Sequence, residues 1–99
     1  WMRAMKIEVS EQVFSFVMSQ APDARKKLRR ALRALHEERG DIKALEGRLS
    51  GYHRLRVGPF RIVFRSLFQD RARMVRCEFI ERRSVVYEMM ESLVSRLKS

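Results

Sequence analysis

The residues of this sequence that could do chemistry are arginines within the stretch 49–65, which has a turn at 57–59. They recur at alternate positions on either side of that turn, as Arg54, Arg56, Arg61 and Arg65. Such alternation predicts two paired strands with one buried face and one face that carries the arginines. Like charges directly opposite each other on paired strands are destabilising. We therefore expect this surface to bind an anion, and phosphate suits it because a guanidinium matches phosphate oxygens bidentately.

If the anion is a nucleic acid, the chemistry open to such a surface is its binding or, for RNA, its cleavage. Cleavage without a metal requires activation of a 2′-hydroxyl, charge stabilisation at the phosphate and protonation of the departing 5′-oxygen. Arg61 is the best candidate for phosphate stabilisation, because its charge is permanent and acidic residues are scarce nearby in the sequence. Arg54 and Arg56 share its facing and would hold the backbone or orient the scissile group. The candidates for nucleic-acid binding are Arg54, Arg56, Arg65, Arg76, Arg29 and Lys26.

The general base is the missing part of this chemistry. Arginine is a poor base because it stays protonated in proteins. His53 is chemically better suited, but it shares parity with Leu55 and Val57 and is expected to be a partly buried structural histidine. Catalysis would then rely on positioning and electrostatics, or the protein would be a weak nuclease. His36 and Cys77 add no credible metal-ligand spacing, so we expect no metal and no cofactor.

The elements that must position these residues follow from hydrophobic periodicity. Residues 5–9 alternate and predict a first strand, and Ser10 is expected to cap a short amphipathic helix over 11–20. Residues 23–39 predict the clearest helix of the chain, with Gly40 as its C-cap. Cations on the outer face of this helix mostly lack acidic partners three or four positions away. They form either a solvated face or a surface that tracks phosphates.

The second half of the chain is predicted to continue with a loop over 41–50, the two arginine-bearing strands, and a strand over 73–80. In that last strand, Cys77 and Phe79 have the core parity and Ile80 the opposite one. Cys77 is expected to be a small buried hydrophobe and not a nucleophile. A terminal helix capped by Ser84 is predicted to present the apolar stripe Val86, Met90, Leu93 and Leu97.

The element order is thus strand-helix-helix-strand-strand-strand-helix. It predicts a small α+β fold with a mainly antiparallel sheet, two N-terminal helices packed on one face, and an arginine face that is open or partly covered. The 99 residues fit one domain over 5–99. Residues 1–4 precede a more natural beginning at Met5, and we expect them to be an upstream extension or a cloning remnant.

The formal net charge of +10 is high for this length and points to nucleic acid, an anionic membrane surface or an acidic protein as partner. No apolar run approaches the roughly 18 residues that would span a bilayer, so we expect no membrane partner. Cys77 is the single cysteine, which excludes an internal disulfide and a zinc quartet of cysteines. A reduced, cytoplasmic location is expected.

Three segments together resemble the RelE/ParE superfamily of type II toxin–antitoxin toxins: 45–47 (LEG), 51–64 (GYHRLRVGPFRIVF) and 83–87 (RSVVY). The resemblance covers about residues 5–90 and is closer to the RelE branch. That branch implies a ribosome-dependent endoribonuclease that cuts messenger RNA, arrests translation and is neutralised by an antitoxin. The ParE branch implies an inhibitor of DNA gyrase on the same fold, and a non-catalytic nucleic-acid-binding relative is a further alternative. Fold alone does not choose between them.

The resemblance also implies roles near the end of the chain. Arg83, with Arg82 as its rival, matches the position that contacts the leaving group. Tyr87 matches an aromatic residue that stacks on a base or supports the site, although a half-buried tyrosine on an amphipathic helix is the alternative. Antitoxins of this class are acidic and amphipathic, and the terminal helix is a candidate docking element for one. Its alternative role is simple packing on the sheet.

Overall fold

The computed structural model describes residues 6–83, 88, 90–92, 94 and 95. Its elements, in chain order, are β1 (Lys6–Val9), α1 (Glu11–Ser19), α2 (Pro22–Leu35), β2 (Asp41–Ala44), a 3-10 turn (Gly47–Leu49), β3 (His53–Val57), β4 (Phe60–Gln69) and β5 (Ala72–Arg82). Residues 88, 90–92, 94 and 95 are helical and are called the terminal helical residues. Ser84 and Tyr87 lie outside the described residues.

The strands form one five-stranded sheet in the order β1-β5-β4-β3-β2. β1 runs parallel to β5, and the other neighbours are antiparallel. The predicted α+β class and the mainly antiparallel sheet are therefore confirmed. The prediction of a loop over 41–50 was wrong, because β2 occupies its first part and pairs with β3. β2 has four residues and little β-branched or aromatic character, so the free edge of β3 creates it and its own sequence does not announce it.

Ser10 caps α1 as predicted. Its hydroxyl accepts a hydrogen bond from the Val13 N–H at 3.2 Å and donates one to the Glu78 carbonyl oxygen at 2.8 Å. The cap therefore does more than satisfy a free N–H group at the helix start. It also ties the start of α1 to β5.

α2 ends at Leu35, earlier than predicted, and Gly40 is not its C-cap. The Glu38 N–H donates to the Leu35 carbonyl and the Arg39 N–H to the Ala34 carbonyl, which is the Schellman pattern. Glu38 takes the left-handed conformation that this motif requires, with φ of 55°. The helix is thus closed by a glutamate in a position where glycine is the usual signal.

The two helices pack on one face of the sheet, as predicted. The core on this helix side consists of Val13, Val17, Leu28, Leu35, Leu55, Phe60, Ile62, Phe64, Val75, Cys77 and Ile80. A smaller cluster lies on the opposite face, where Leu49 and Val63 contact the terminal helical residues Met90 and Val94. The arginine-bearing face is therefore covered in part, and the chain end covers it.

A β-bulge in the β4–β5 ladder places Phe79 and Ile80 on the faces of the sheet opposite to those predicted for them. Val63 pairs with Phe79, whereas the next residue, Phe64, pairs with Cys77. Glu78 is thus the extra residue of the bulge, and Ile80 joins the helix-side core while Phe79 packs on the other face. The predicted parity of Phe79 and Ile80 was wrong, because a strict period of two does not anticipate an inserted residue.

Cys77 is fully buried in the helix-side core, as predicted. Burial, with a smaller contribution from the Glu78 carboxylate, raises the pKa of the Cys77 thiol from 9.0 to about 12. The thiol therefore behaves as a small hydrophobe. Within the described part of the chain, no helix is long and apolar enough to cross a membrane.

Candidate nucleic-acid interface

A cavity of about 450 Å³ opens on the sheet face opposite α1 and α2; it is called the arginine cavity. β3 contributes Arg54 and Arg56, β4 contributes Arg61, and Arg83 follows the end of β5. Its lining is Lys43, Leu45, Glu46, Leu49, Arg54, Arg56, Arg61, Arg83 and Glu91. Cationic side chains outnumber carboxylates in this lining, so the cavity is suited to an anion.

Arg61 is the most buried charged group of the cavity, with 6% of its surface exposed. Its Nη1 donates hydrogen bonds to the carbonyl oxygens of Gly58 and Phe60, each at 2.8 Å. Among the residues that the structure describes, no carboxylate lies within 4.0 Å of Arg61. A buried charge without a counter-ion is unfavourable. The two carbonyls fix the orientation of the guanidinium without neutralising it.

Arg54 and Arg56 share one carboxylate, that of Asp41 in β2. Arg54 Nη1 lies 3.2 Å from Asp41 Oδ1 and also donates to the Asp41 carbonyl oxygen at 3.1 Å. Arg56 Nη1 lies 3.9 Å from Asp41 Oδ2. One negative charge therefore holds two guanidiniums at the rim. This carboxylate comes from β2, the segment that was predicted to be a loop.

Arg82 and Arg83 lie on opposite sides of the sheet end. The Arg83 N–H donates to the Pro59 carbonyl oxygen at 3.0 Å, and its side chain lines the arginine cavity. The guanidinium of Arg82 lies 5.4 Å from the ring centroid of Phe60, which belongs to the helix-side core. Both arginines line an adjoining cleft of about 530 Å³. Arg83 lines the arginine cavity, whereas Arg82 shares only the adjoining cleft with Arg61.

Arg65 and Arg76 are held in an ion-pair cluster away from the cavity. Glu78 Oε1 lies 3.1 Å from Arg65 Nε and 2.8 Å from Arg76 Nε. Arg76 also pairs with Glu8 on β1. Glu78, the extra residue of the bulge, thus forms ion pairs with both arginines. The interface proposed below for RNA therefore excludes them.

His53 lies on the helix side of the sheet, as its parity predicted. Its ring stacks on Phe64 with centroids 5.5 Å apart, and it lines a pocket with Leu35 and Ile42. Its Nδ1 is buried without a hydrogen-bond partner in the described part of the chain. Because Arg54, its neighbour in the strand, points to the other face, His53 is not available as a base in the arginine cavity.

No protein-family model and no curated protein matches this sequence. Solved structures do match. The YoeB/ParE toxin from Agrobacterium tumefaciens superposes with a TM-score of 0.65 at 16% identity, over 79% of this chain and 98% of that one. The Mycobacterium tuberculosis toxin–antitoxin complex RelBE2 gives 0.64 at 15% identity, over 82% and 100%. The archaeal RelE–RelB complex from Pyrococcus horikoshii gives 0.63 at 17%, over 82% and 97%.

The chain has the RelE/ParE toxin fold. This confirms the fold that the three sequence segments implied. At these identities the likeness concerns the arrangement of the backbone, and function has to be argued from the side chains of the RelE-like sheet.

Three residues of the arginine cavity were not anticipated: Lys43, Glu46 and Glu91. Lys43 lies two positions after Asp41 in β2, so a strand reading of this segment would have found it. Glu46 belongs to the segment that carried the resemblance to RelE-like toxins, which gave it no role. Glu91 directly follows the buried Met90, and only tertiary packing brings it to the cavity.

The terminal helical residues pack on the sheet beside the cavity through Met90 and Val94. Val86, Leu93 and Leu97, which were also expected on the apolar stripe, are not among the described side chains. Met90 packs on the sheet, which is the alternative role that was given for the terminal helix.

Lys26 and Arg29 lie on the exposed side of α2. α2 packs on the helix side through Leu28 and Leu35, whereas the arginine cavity opens on the opposite face. The RelE-like fold therefore separates these two candidates from Arg54, Arg56 and Arg61.

Proposed function

We propose that this protein is the toxin of a type II toxin–antitoxin module, and that it cleaves messenger RNA on the ribosome without a metal. The observation that carries the proposal is the cavity that Arg54, Arg56, Arg61 and Arg83 line in a RelE-like sheet. A cavity of this charge suits a phosphodiester, and its several guanidiniums suit the charge that develops when the diester breaks.

Arg61 is proposed to stabilise the phosphate in the transition state. Its guanidinium is buried and held by two carbonyl oxygens at 2.8 Å, so it needs little reorganisation when charge develops. Arg83, which lines the same cavity, is proposed to stabilise the leaving 5′-oxygen. Arg54 and Arg56 are more exposed and would hold the RNA backbone at the rim. Arginine cannot deliver a proton at neutral pH, so water would protonate the leaving oxygen.

The general base is proposed to be a carboxylate of the cavity itself. Glu46 and Glu91 line it, and neither forms an ion pair within 4.0 Å in the described part of the chain. An ionised carboxylate can take the proton of the 2′-hydroxyl. Catalysis then does not have to depend on positioning alone. The cleavage rates of Glu46→Gln and Glu91→Gln distinguish which of the two is the base.

An acidic antitoxin is the proposed protein partner. Three of the matching structures are complexes of a RelE-type toxin with a RelB-type antitoxin, and a net charge of +10 suits an acidic segment. The terminal helical residues are a poorer docking element than the sequence suggested, because Met90 and Val94 are already buried against the sheet.

The proposal is tested by induced expression followed by primer extension on cellular messenger RNA. We expect growth arrest and new 5′ ends within translated reading frames. One structural neighbour is described as a YoeB/ParE toxin, so a gyrase supercoiling assay is run with the purified protein. Inhibited supercoiling with intact messenger RNA would contradict the nuclease proposal and favour a gyrase inhibitor. Binding of RNA with neither effect would indicate a non-catalytic relative.

A further inference from the structure

A second basic surface lies on α2, away from the arginine cavity. α2 buries Leu28 and Leu35 against the sheet, which turns its cationic residues outwards. With Pro22, these cations line a surface groove of about 380 Å³: Arg25, Lys26, Arg29, Arg30 and Arg33. Residues four apart are separated by about 6 Å along a helix. The five cations that line this groove are called the α2 ridge. They therefore form a continuous row of positive charge.

Among the described residues, no carboxylate neutralises the α2 ridge. In the described part of the chain, no ion pair within 4.0 Å involves any of the five ridge cations. Like charges four positions apart destabilise a helix, and Arg25–Arg29, Arg29–Arg33 and Lys26–Arg30 are such pairs. The arrangement is thus unfavourable for the isolated protein. A bound polyanion would relieve it.

The α2 ridge and the arginine cavity cannot serve the same short stretch of ligand. α2 covers the helix side of the sheet, and its ridge points from there to solvent. The cavity opens on the opposite face of the sheet. A ligand of the ridge is therefore a separate anionic segment. This conclusion does not rest on the proposed cleavage reaction.

The lining of the groove favours a phosphate backbone over a protein. The centre of a protein interface is usually apolar or aromatic and poor in charge, whereas the groove is lined by cations and one proline. It also lacks the aromatic side chains on which unpaired bases stack. From this we infer that the α2 ridge binds the sugar–phosphate backbone of a nucleic-acid double helix, independently of the arginine cavity; the choice of RNA over DNA rests on the proposed function.

Acidic protein is the alternative ligand, and one contact gives it weight. Arg29 Nη2 lies 3.4 Å from Met18 Sδ, and Met18 and Phe14 on α1 are 41% and 58% exposed. An amphipathic acidic helix would use those two side chains as its apolar anchor. The binding experiment described next therefore also uses a glutamate-rich amphipathic peptide as a ligand.

The test compares two double variants that lose the same charge. The ridge variant is Lys26→Gln/Arg30→Gln, and glutamine keeps the helix propensity. The control variant is Arg39→Gln/Arg73→Gln, which removes two exposed arginines that pair with Glu37 and Glu38. Circular dichroism confirms that both are folded.

Binding is measured by fluorescence anisotropy over a salt series, with a blunt RNA duplex of about 16 base pairs. We expect the ridge variant to bind at least about tenfold more weakly at low salt, with a slope of log K against log salt shallower by about 0.9 per lost contact. The control variant should keep most of the affinity and slope.

Three results would overturn the inference. Equal losses in the ridge and control variants would mean that net charge alone drives duplex binding. If the ridge variant keeps both its affinity for the duplex and its salt slope, the duplex binds elsewhere on the protein. If the ridge variant binds the duplex normally but loses a glutamate-rich amphipathic peptide, the ridge belongs to an acidic protein. None of these results bears on cleavage by the arginine cavity, which is measured separately.

Discussion

Arg56 and Arg61 lie directly opposite each other in the register of β3 and β4. Two opposed guanidiniums repel each other, and in the described part of the chain only Arg56 has a carboxylate nearby, Asp41 at 3.9 Å. Arg61 is held by carbonyl oxygens instead. A bound phosphate would turn this repulsion into attraction to a shared anion. The unfavourable pair therefore supports the proposal that the arginine cavity binds a phosphate.

Removing this repulsion should stabilise the protein and weaken RNA binding. We expect Arg56→Gln to raise the free energy of unfolding by about 0.2–1 kcal/mol at low salt, and the gain to shrink as salt screens the charges. Urea unfolding at two ionic strengths measures it, with Arg39→Gln as the control for net charge. A loss of stability in Arg56→Gln would mean that the contact with Asp41 outweighs the repulsion.

Arg61 should be needed for cleavage through the geometry of its guanidinium as well as its charge. We expect Arg61→Lys to lower the cleavage rate about 100-fold or more, because a buried donor aimed at developing charge is typically worth that much. Single-turnover cleavage of ribosome-bound messenger RNA measures the rate. Arg65→Lys is the matched control, since Arg65 lies on the same strand but pairs with Glu78. A folded Arg61→Lys protein with full activity would show that the site is elsewhere.

Glu46 and Glu91 should differ in their effect on cleavage. Loss of a general base typically costs about 100-fold to 10,000-fold in rate, so we expect one of Glu46→Gln and Glu91→Gln to show this loss and to flatten the pH–rate profile. The other should resemble Glu37→Gln, an exposed control. If both glutamine variants cleave normally, a carboxylate base is excluded.

Gly40 should tolerate no side chain. A Cβ there would lie 2.6 Å from Leu55 Cδ1, and φ is +136°, which L-residues rarely adopt. We expect Gly40→Ala to lower the free energy of unfolding by about 2–3 kcal/mol, from overpacking and backbone strain together. Gly47→Ala is the control, because φ is +67° there and no atom lies within 4 Å of a Cβ. Equal stabilities for the two variants in urea unfolding would rule out the clash.

Cys77 should make stability fall at alkaline pH. Burial raises the pKa of its thiol from 9.0 to about 12, so between these values the unfolded chain loses a proton that the folded protein keeps. The free energy of unfolding should then decrease with pH above about 9, by about 1.4 kcal/mol per pH unit from this one group. Cys77→Ala lacks that component, so its curve should fall less steeply in urea unfolding over this range. Parallel curves would contradict a buried neutral thiol.

Local sequence pattern determined the faces of most elements. Period-two alternation put the arginines of β3 and β4 on one side and His53 on the other, and Ser10 marked the start of α1. These features depend on neighbouring residues and on the steric period of a strand or helix. They can therefore be read without knowing what packs where.

Tertiary structure decided which further residues join the predicted arginines at the site. β2 forms because β3 offers it an edge; it places Asp41 beside Arg54 and Arg56 and brings Lys43 to the cavity. The bulge at Glu78 and the entry of Glu91 likewise depend on strand register and on the packing of distant segments. Such pairings join residues far apart in the chain, and their free energy comes from contacts that no local window contains. Which charges converge is therefore a property of the fold, whereas which face each charge occupies is largely written in the sequence.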